Sequence, residues 1–248
     1  MRGAVPKGIV SQIFAIGGGE LQTRETFETD RLIAATTGRN RPWSLCVTAA
    51  SGDEPSVCEG FGYVYGDSLR CRTDYLRLLK GEPGGDDYVR KIARSEIIYF
   101  ADGDVRLLVE TVKKFGVVDE LRKAYERGVI LCGVGAGAVC WGNAILGEDS
   151  LEGLGFIEAN MGSSVTTTAQ TMQKSVDKLG EPGILLDRLA VLHVKGSDYR
   201  VIAPDEAHRI RRFSPAGAPE EAKTVAVDQQ FQPLASLKNV DVETVAAK

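Results

Sequence analysis

One segment near the middle of the chain constrains the fold more than any other. Residues 128–131 form an apolar run (GVIL), residues 132–138 are mostly small (CGVGAGA), and residues 138–141 continue as AVCW. A short apolar run that stops in glycine is typical of a buried strand, and the small residues after it indicate a tight turn. The segment therefore predicts a strand, a sharp turn and a helix, in that order.

This turn has the pattern of a nucleophile elbow without a nucleophile. In a G-x-S-x-G elbow, the central residue sits on a strained strand-to-helix turn that exposes its side chain at the edge of the sheet. Residues 133–137 read GVGAG, so the central position is Gly135, which has no side chain. Glycine also tolerates the strained backbone of such a turn. The sequence predicts the scaffold of a serine hydrolase without its attacking atom.

Strands alternate with helices over the first half of the chain. The pattern predicts strands at residues 11–16, 44–49, 71–79, 96–100 and 128–131, and helices at 29–37, 57–67, 87–95 and 107–126, the last broken near Gly116. This alternation predicts a three-layer α/β/α sandwich with a mostly parallel sheet. The loops at the carboxyl ends of its strands are the expected site.

The later part of the chain follows a different pattern. Residues 189–194 and 199–203 predict a β-hairpin, and residues 224–227 and 231–234 predict a second one. We expect one domain over residues 11–234, preceded by an extension at 1–10 and followed by a tail at 235–248.

Composition excludes several classes of function. The net charge of −4 gives no basic surface for nucleic acid, and no apolar stretch is long enough for a signal peptide or a membrane span. The five cysteines are odd in number and predict reduced thiols in a cytoplasmic protein. No Cys-x-x-Cys pair or His/Cys cluster suggests zinc, and we expect neither a metal nor a cofactor.

Several motifs in a fixed order resemble one family. They are residues 13–20 (IFAIGGGE), 97–104 (IIYFADGD), 133–138 (GVGAGA), 153–157 (GLGFI) and 184–187 (ILLD). Over residues 11–234 the chain resembles the dipeptidase E and cyanophycinase family of serine peptidases. The resemblance implies the flavodoxin-like fold of class I glutamine amidotransferases.

The chain departs from the family pattern where the chemistry takes place. The family elbow G-x-S-A-G-A carries Gly135 here, and the family's Pro-His pair falls on Ser163-Ser164, which places Ser164 at the histidine position. The oxyanion loop G-G-G-N reads ADGD at residues 101–104. A carboxylate facing a developing negative charge would oppose catalysis. The third member of the triad is not identified by the pattern, and Glu148 and Asp149 are the candidates.

Other nucleophiles and bases do not match the pattern. Cys132 and Cys140 are interpreted as core residues, because a reactive cysteine needs a lowered pKa and a base. His193 is predicted in the late hairpin and His208 in a basic stretch, neither at a catalytic position. Gly135 could be natural or an engineered Ser→Gly, and Ser164 favours a natural loss, since removing one member of the pair already disables it.

These departures lead to two functional hypotheses. The first is an inactive homologue retained for binding, assembly or regulation. The alternative is a serine peptidase acting on aspartyl peptides or cyanophycin-like polymers, present as an inactivated variant. We expect a homo-oligomer of at least two chains.

The expected pocket combines the elbow with two loops. Its predicted residues are Gly135, Ala136, Asp102, Gly103, Asp104, Gly18, Gly19 and Glu20. The carboxylates would favour cations or amines in a shallow pocket that holds a small molecule or a peptide. The interpretation that needs no ligand is three solvated carboxylates.

Overall fold

The structure, a computed structural model, describes residues 10–81 and 87–238. In its first half, strands and helices alternate as predicted. They are β1 (Gln12–Ile16), α1 (Phe27–Thr36), β2 (Trp43–Val47), α2 (Pro55–Phe61), β3 (Arg72–Leu76), α3 (Asp87–Arg94), β4 (Ile97–Phe100), α4 (Val105–Lys114), α5 (Val117–Glu126), β5 (Ile130–Val134) and α6 (Ala136–Val139). A π-helix, Gly62–Ser68, extends α2. The predicted break near Gly116 is confirmed by its φ of 67° between α4 and α5.

The second half consists mainly of short strands. They are β6 (Ala144–Ile145), β7 (Leu151–Glu152), β8 (Asn160–Ser163), β9 (Gly183–Leu186), β10 (Val191–Lys195), β11 (Asp198–Ile202), β12 (Ile210–Phe213), β13 (Lys223–Val225) and β14 (Gln232–Pro233). One helix, α7 (Ala169–Leu179), lies between β8 and β9.

Among the described residues, the main sheet has eight strands in the order β14-β11-β10-β1-β5-β4-β2-β3. The five strands from β1 to β3 in this order are parallel, and the remaining three are antiparallel. Ile33 of α1 and Phe61 of α2 pack on one face, while Leu108 of α4 and Leu121 of α5 pack on the other. The three-layer α/β/α sandwich with a mostly parallel sheet is therefore confirmed.

A second sheet was not predicted from the sequence. In the part of the chain that the structure describes, it has six strands in the order β13-β12-β9-β8-β6-β7. Helix α7 covers it, with Met172 and Val176 packed against Leu185 and Phe213. This sheet carries the segment that follows the elbow, so it fixes where residues 163 and 164 lie.

The late hairpins are partly as predicted. The β10–β11 hairpin is confirmed by its antiparallel register. The second hairpin is wrong: β13 pairs with β12 in the second sheet, whereas β14 pairs with β11 in the main sheet. Two neighbouring runs with alternating character need not pair with each other when other sheet edges are open.

The ends of the predicted domain lie close to the limits of the described residues. A 3₁₀ turn at Leu234–Leu237 follows β14, and Leu237 is buried in the main core. Residues 235–238 of the expected tail are thus described, and residues 239–248 lie outside the described part. Most of the expected extension, residues 1–9, also lies outside it. Within the described residues, every helix is too short or too polar to cross a bilayer.

Candidate functional site

The elbow geometry is present at the end of β5. Gly135 has φ 53° and ψ −112°, a conformation that costs strain in any residue with a Cβ. Its N–H donates to the carbonyl of Ile16 at the end of β1, at 2.9 Å. Gly137 packs so closely on β4 that an added Cβ would overlap the backbone of Phe100. Small residues are therefore required here by the close approach of α6 to the sheet.

Asp102 occupies the space where a nucleophile would lie. One carboxylate oxygen, Oδ1, accepts a hydrogen bond from the N–H of Ala136 at 2.8 Å and from the N–H of Gly103 at 2.8 Å. A Cβ added at Gly135 would overlap this carboxylate. In an elbow, the N–H after the nucleophile and an N–H from a neighbouring loop form the oxyanion hole. Here both groups bind a side chain of the protein itself.

The remaining acidic residue of this loop has a structural role. Asp104 is the N-cap of α4, and its carboxylate accepts a hydrogen bond from the N–H of Leu107 at 3.0 Å. Such caps stabilise helices by satisfying an otherwise free N–H. Asp104, which was expected in the pocket, instead anchors the helix that follows the loop.

The two serines at the histidine position hold loops together. The Ser163 hydroxyl is buried and donates to the carbonyl of Gly17 at 2.5 Å. The Ser164 hydroxyl accepts a hydrogen bond from the N–H of Arg188 at 3.2 Å. Neither hydroxyl can act as a general base near neutral pH, because both are poor proton acceptors compared with an imidazole.

A cavity of about 210 Å³ opens beside Asp102. It lies between the loop after β1, helix α2 and the carboxyl edge of the sheet, and its lining residues are Gly19, Glu20, Leu21, Gln22, Val57, Tyr99, Ala101, Asp102 and Val134. Three predicted pocket residues, Gly19, Glu20 and Asp102, are thus brought together. The other predicted residues lie beside the cavity and do not line it: Gly18, Gly103, Asp104, Gly135 and Ala136.

Charges at the rim of the site form a small network. Glu25 pairs with Arg188, and this contact, with a further hydrogen bond from the N–H of Glu20 at 2.7 Å, lowers the pKa of Glu25. Arg188 was not singled out from the sequence. Arg188 is therefore ion-paired with a carboxylate outside the cavity lining, and its charge also acts on Glu20 and Asp102.

A buried carboxyl group lies on α1. Asp30 is fully buried, and it accepts hydrogen bonds from the Thr26 hydroxyl at 2.8 Å and from the Tyr65 hydroxyl at 2.9 Å. Burial raises the pKa of Asp30 to about 7, against the opposing effect of these two donors. Tyr65 in turn packs against Tyr99, with ring centroids 5.6 Å apart.

The other candidate groups lie away from catalytic positions. Cys132 and Cys140 are buried, and burial raises the pKa of both thiols, so neither is an activated nucleophile. His193 on β10 is buried between Phe14 and Arg200, and burial, with the charge of Arg200, lowers its pKa to about 3.

Three further polar residues from the sequence analysis lie in turns or at the surface, away from the elbow. His208 contacts Asp205 at 2.7 Å in a turn before β12. Glu148 and Asp149 are exposed, which removes the burial that orients a third triad member.

A family comparison agrees with this geometry. The profile of peptidase family S51 matches residues 13–202, which is most of the chain. The chain belongs to peptidase family S51. The predicted resemblance to the dipeptidase E family is confirmed, and the matched residues include the strands β1, β4 and β5 beside the elbow.

Individual relatives support the assignment. The uncharacterised peptidase YgaJ of Bacillus subtilis (strain 168) is 29% identical over 157 residues, which cover 61% of this chain and 67% of YgaJ. A crystal structure of a peptidase from an acI-B1 actinobacterium superposes with a TM-score of 0.72 at 17% identity, covering 91% of this chain and 97% of that one. A candidate peptidase E from Listeria monocytogenes EGD-e gives a TM-score of 0.59 at 13% identity, covering 79% and 100%. The two structures establish the fold.

Proposed function

We propose that this chain is a non-hydrolytic member of family S51, retained for binding, assembly or regulation. The observation that carries the proposal is the Asp102 carboxylate, which binds the N–H groups of Gly103 and Ala136 and fills the space beside Gly135. The site contains its own anion at the position where catalysis would create one.

Serine peptidase chemistry needs three groups that the site does not supply. It needs a nucleophile, a base to activate it, and free donors for the tetrahedral oxyanion. Position 135 has no side chain, and position 164 is a serine that binds the N–H of Arg188. The oxyanion donors are bound to Asp102, whose charge would also repel an oxyanion.

Asp102 and Gly135 fit each other, and this supports a natural origin for both. A serine at position 135 would overlap the carboxylate as it lies here. An engineered Ser→Gly alone would not account for the aspartate in the loop or for Ser164. Three positions that together disable the same step are the expected result when selection no longer maintains hydrolysis.

The second candidate function is a serine peptidase for aspartyl peptides or cyanophycin-like polymers, inactivated at one position. The specific observation in its favour is the strained elbow at Gly135, with φ 53° and ψ −112°. The backbone conformation that presents the nucleophile in such an elbow is still formed. The two functions differ in what a serine at position 135 restores.

The test is hydrolysis of an aspartyl dipeptide panel and of cyanophycin by three proteins. These are the unmodified chain, Gly135→Ser, and the triple variant Gly135→Ser/Asp102→Ala/Ser164→His. We expect no turnover above buffer from the first two, because Gly135→Ser lacks a base and meets Asp102. Turnover by Gly135→Ser alone would support the second candidate function. The triple variant shows whether freeing the donors and adding an imidazole is sufficient.

We also propose a cytoplasmic location. All five cysteines are free thiols in the structure, four of them buried. Reducing compartments maintain such thiols, and secreted proteins more often pair them.

A further inference from the structure

We propose that the cavity beside Asp102 binds a small organic amine, held as its ammonium ion with a short apolar body. The inference rests on the proposed function, because the cavity adjoins the site that hydrolysis would use. It names the chemical class of ligand that this site accepts.

The shape of the cavity favours a short apolar body. Its volume is about 210 Å³, below the roughly 300–1,000 Å³ typical of drug-sized sites. Ala101 and Val134 continue the apolar face of the sheet into the cavity, and Val57 of α2 lines it from the helix layer. A chain of a few carbon atoms would bury apolar surface here, which favours binding.

The charge of the cavity favours a cation. Glu20 and Asp102 both line it, and the Glu20 carboxylate has no hydrogen-bond or ion-pair partner among the described residues. One oxygen of Asp102 accepts two backbone N–H groups, while its Oδ2 accepts none from the described part of the chain. The nearby cation, Arg188, is bound to Glu25. The charge of Arg188 also acts on Glu20 and Asp102, but the three carboxylates outnumber this one cation. An ammonium group would therefore meet a net negative charge, and a carboxylate would be repelled.

Tyr99 gives a second, independent indication of a ligand. This residue lines the cavity and is 1% exposed, and its hydroxyl has no hydrogen-bond partner among the described residues. A buried hydroxyl without a partner is uncommon and calls for an explanation such as an unbound ligand or water.

The same features argue against a divalent metal ion. Calcium takes six to eight oxygen ligands, and magnesium requires a near-octahedral set. Over the described residues, no cluster of three or more potential ligands is present. Two carboxylates above an apolar floor suit an ammonium ion better than a metal ion.

The test uses three probes of equal length: butylamine, butan-1-ol and butyrate, with MgCl₂ and CaCl₂ as further arms. Binding to the full chain is measured by ligand-observed NMR and by thermal shift. Butylamine should bind with a dissociation constant on the order of 1 mM or below, as expected for about five heavy atoms, and should raise the melting temperature. Butanol and butyrate should have no effect at the same concentration.

Two variants test the residues, and a third serves as the matched control. Glu20→Gln and Asp102→Asn should each weaken butylamine binding by about tenfold, because each removes one of two charges that contact the ligand. Asn at position 102 keeps an oxygen for Gly103 and Ala136, so the loop should hold its conformation. Glu59→Gln removes an exposed carboxylate on α2 that does not line the cavity, and it should leave the affinity unchanged.

The outcomes separate this inference from the proposed function. Equal binding of amine and alcohol, binding of butyrate, or no binding by any probe would overturn the amine site while leaving the absence of hydrolysis intact. Binding of Mg²⁺ or Ca²⁺ that is lost in Glu20→Gln would replace the amine with a metal. Hydrolysis by the unmodified chain would overturn the proposed function whatever the amine does.

Discussion

Restoring the missing serine should destabilise this protein, and the structure gives the reason. A side chain at position 135 would overlap the Asp102 carboxylate. The carboxylate must then leave its place and give up the hydrogen bonds from Ala136 and Gly103, each 2.8 Å long. The serine itself must also adopt φ 53° and ψ −112°.

The size of the effect follows from these contacts. Hydrogen bonds to a charged group contribute about 1.5–3 kcal/mol each, and the half-buried position of Asp102 reduces the pair to about 2 kcal/mol in total. The strained backbone adds about 2 kcal/mol. Gly135→Ser should therefore lower the free energy of unfolding by about 4 kcal/mol, which lowers the melting temperature by roughly 8–16 °C in a chain of this size.

A double-mutant cycle isolates the contribution of Asp102. Asp102→Ala alone should cost about 2 kcal/mol, because it removes the same two hydrogen bonds. The double variant should cost no more than Gly135→Ser alone, so the coupling between the two positions is about 2 kcal/mol. The free energies come from urea unfolding followed by circular dichroism, with the slope checked for each variant.

The control for backbone strain is Gly38→Ser. Gly38 has φ 63°, and an added Cβ would meet no atom within 4 Å. This change should cost about 1 kcal/mol and show no coupling to Asp102→Ala. If the free-energy costs of the changes at positions 102 and 135 simply add, the Asp102 carboxylate does not occupy the space beside Gly135, and the reasoning is refuted.

Three further predictions follow from other contacts. The pKa of Asp30 is about 7 in the fold and about 3.9 in the unfolded chain, so its protonation stabilises the fold fully below pH 4, and this stability is lost as pH rises through 7. Asp30→Asn should reduce the loss of unfolding free energy between pH 4 and pH 8 by up to about 4 kcal/mol, as measured by urea unfolding at each pH. Parallel curves of unfolding free energy against pH for both proteins would contradict this prediction. Ser163→Ala should speed amide hydrogen exchange at Gly18 and Gly19, because it removes the hydrogen bond to the Gly17 carbonyl, whereas Ser68→Ala should not. Equal exchange rates in the unmodified chain and both variants would show that this hydrogen bond does not hold the loop. Light scattering should show at least a dimer, to which we expect the late hairpin and residues 235–248 to contribute, and a monomer at high micromolar concentration would count against this assembly.

The sequence predicted the parallel layers and the edge where the site lies. Alternating apolar strands and amphipathic helices are local patterns, and each is stable only in one register of the sheet. The glycines around position 135 predicted the elbow because close packing and a positive φ leave little choice. The prediction that the elbow lacks a nucleophile needs only position 135 of the sequence, and the hydrolysis assays test it.

The sequence did not predict the contact between Asp102 and Gly135. The two residues lie in the turns after different strands, and Asp102 reaches the N–H of Ala136, which is 34 residues away. Only the register of β4 against β5 sets that distance. The same holds for the buried carboxyl group of Asp30. Its hydrogen-bond partner Tyr65 is 35 residues away, so the sequence of α1 alone does not reveal that Asp30 is buried.

The second sheet was missed for a different reason. Its strands have two to four residues, too few for an alternating pattern to stand out. Helix α7 did carry a recognisable pattern: Met172, Val176 and Leu179 follow helical spacing, and Thr168 caps its first turn. A search for capped helices after the elbow would have found it.

The most direct test of the central claim is a single-turnover assay on the unmodified chain. Protein in excess over an aspartyl dipeptide is quenched from milliseconds to hours, and the free aspartate is measured by mass spectrometry. Because Asp102 holds the oxyanion donors and position 135 has no side chain, the account predicts product no faster than in buffer. Release of aspartate that is faster than in buffer and reaches the amount of dipeptide added would show that the chain hydrolyses the peptide, and it would contradict the account.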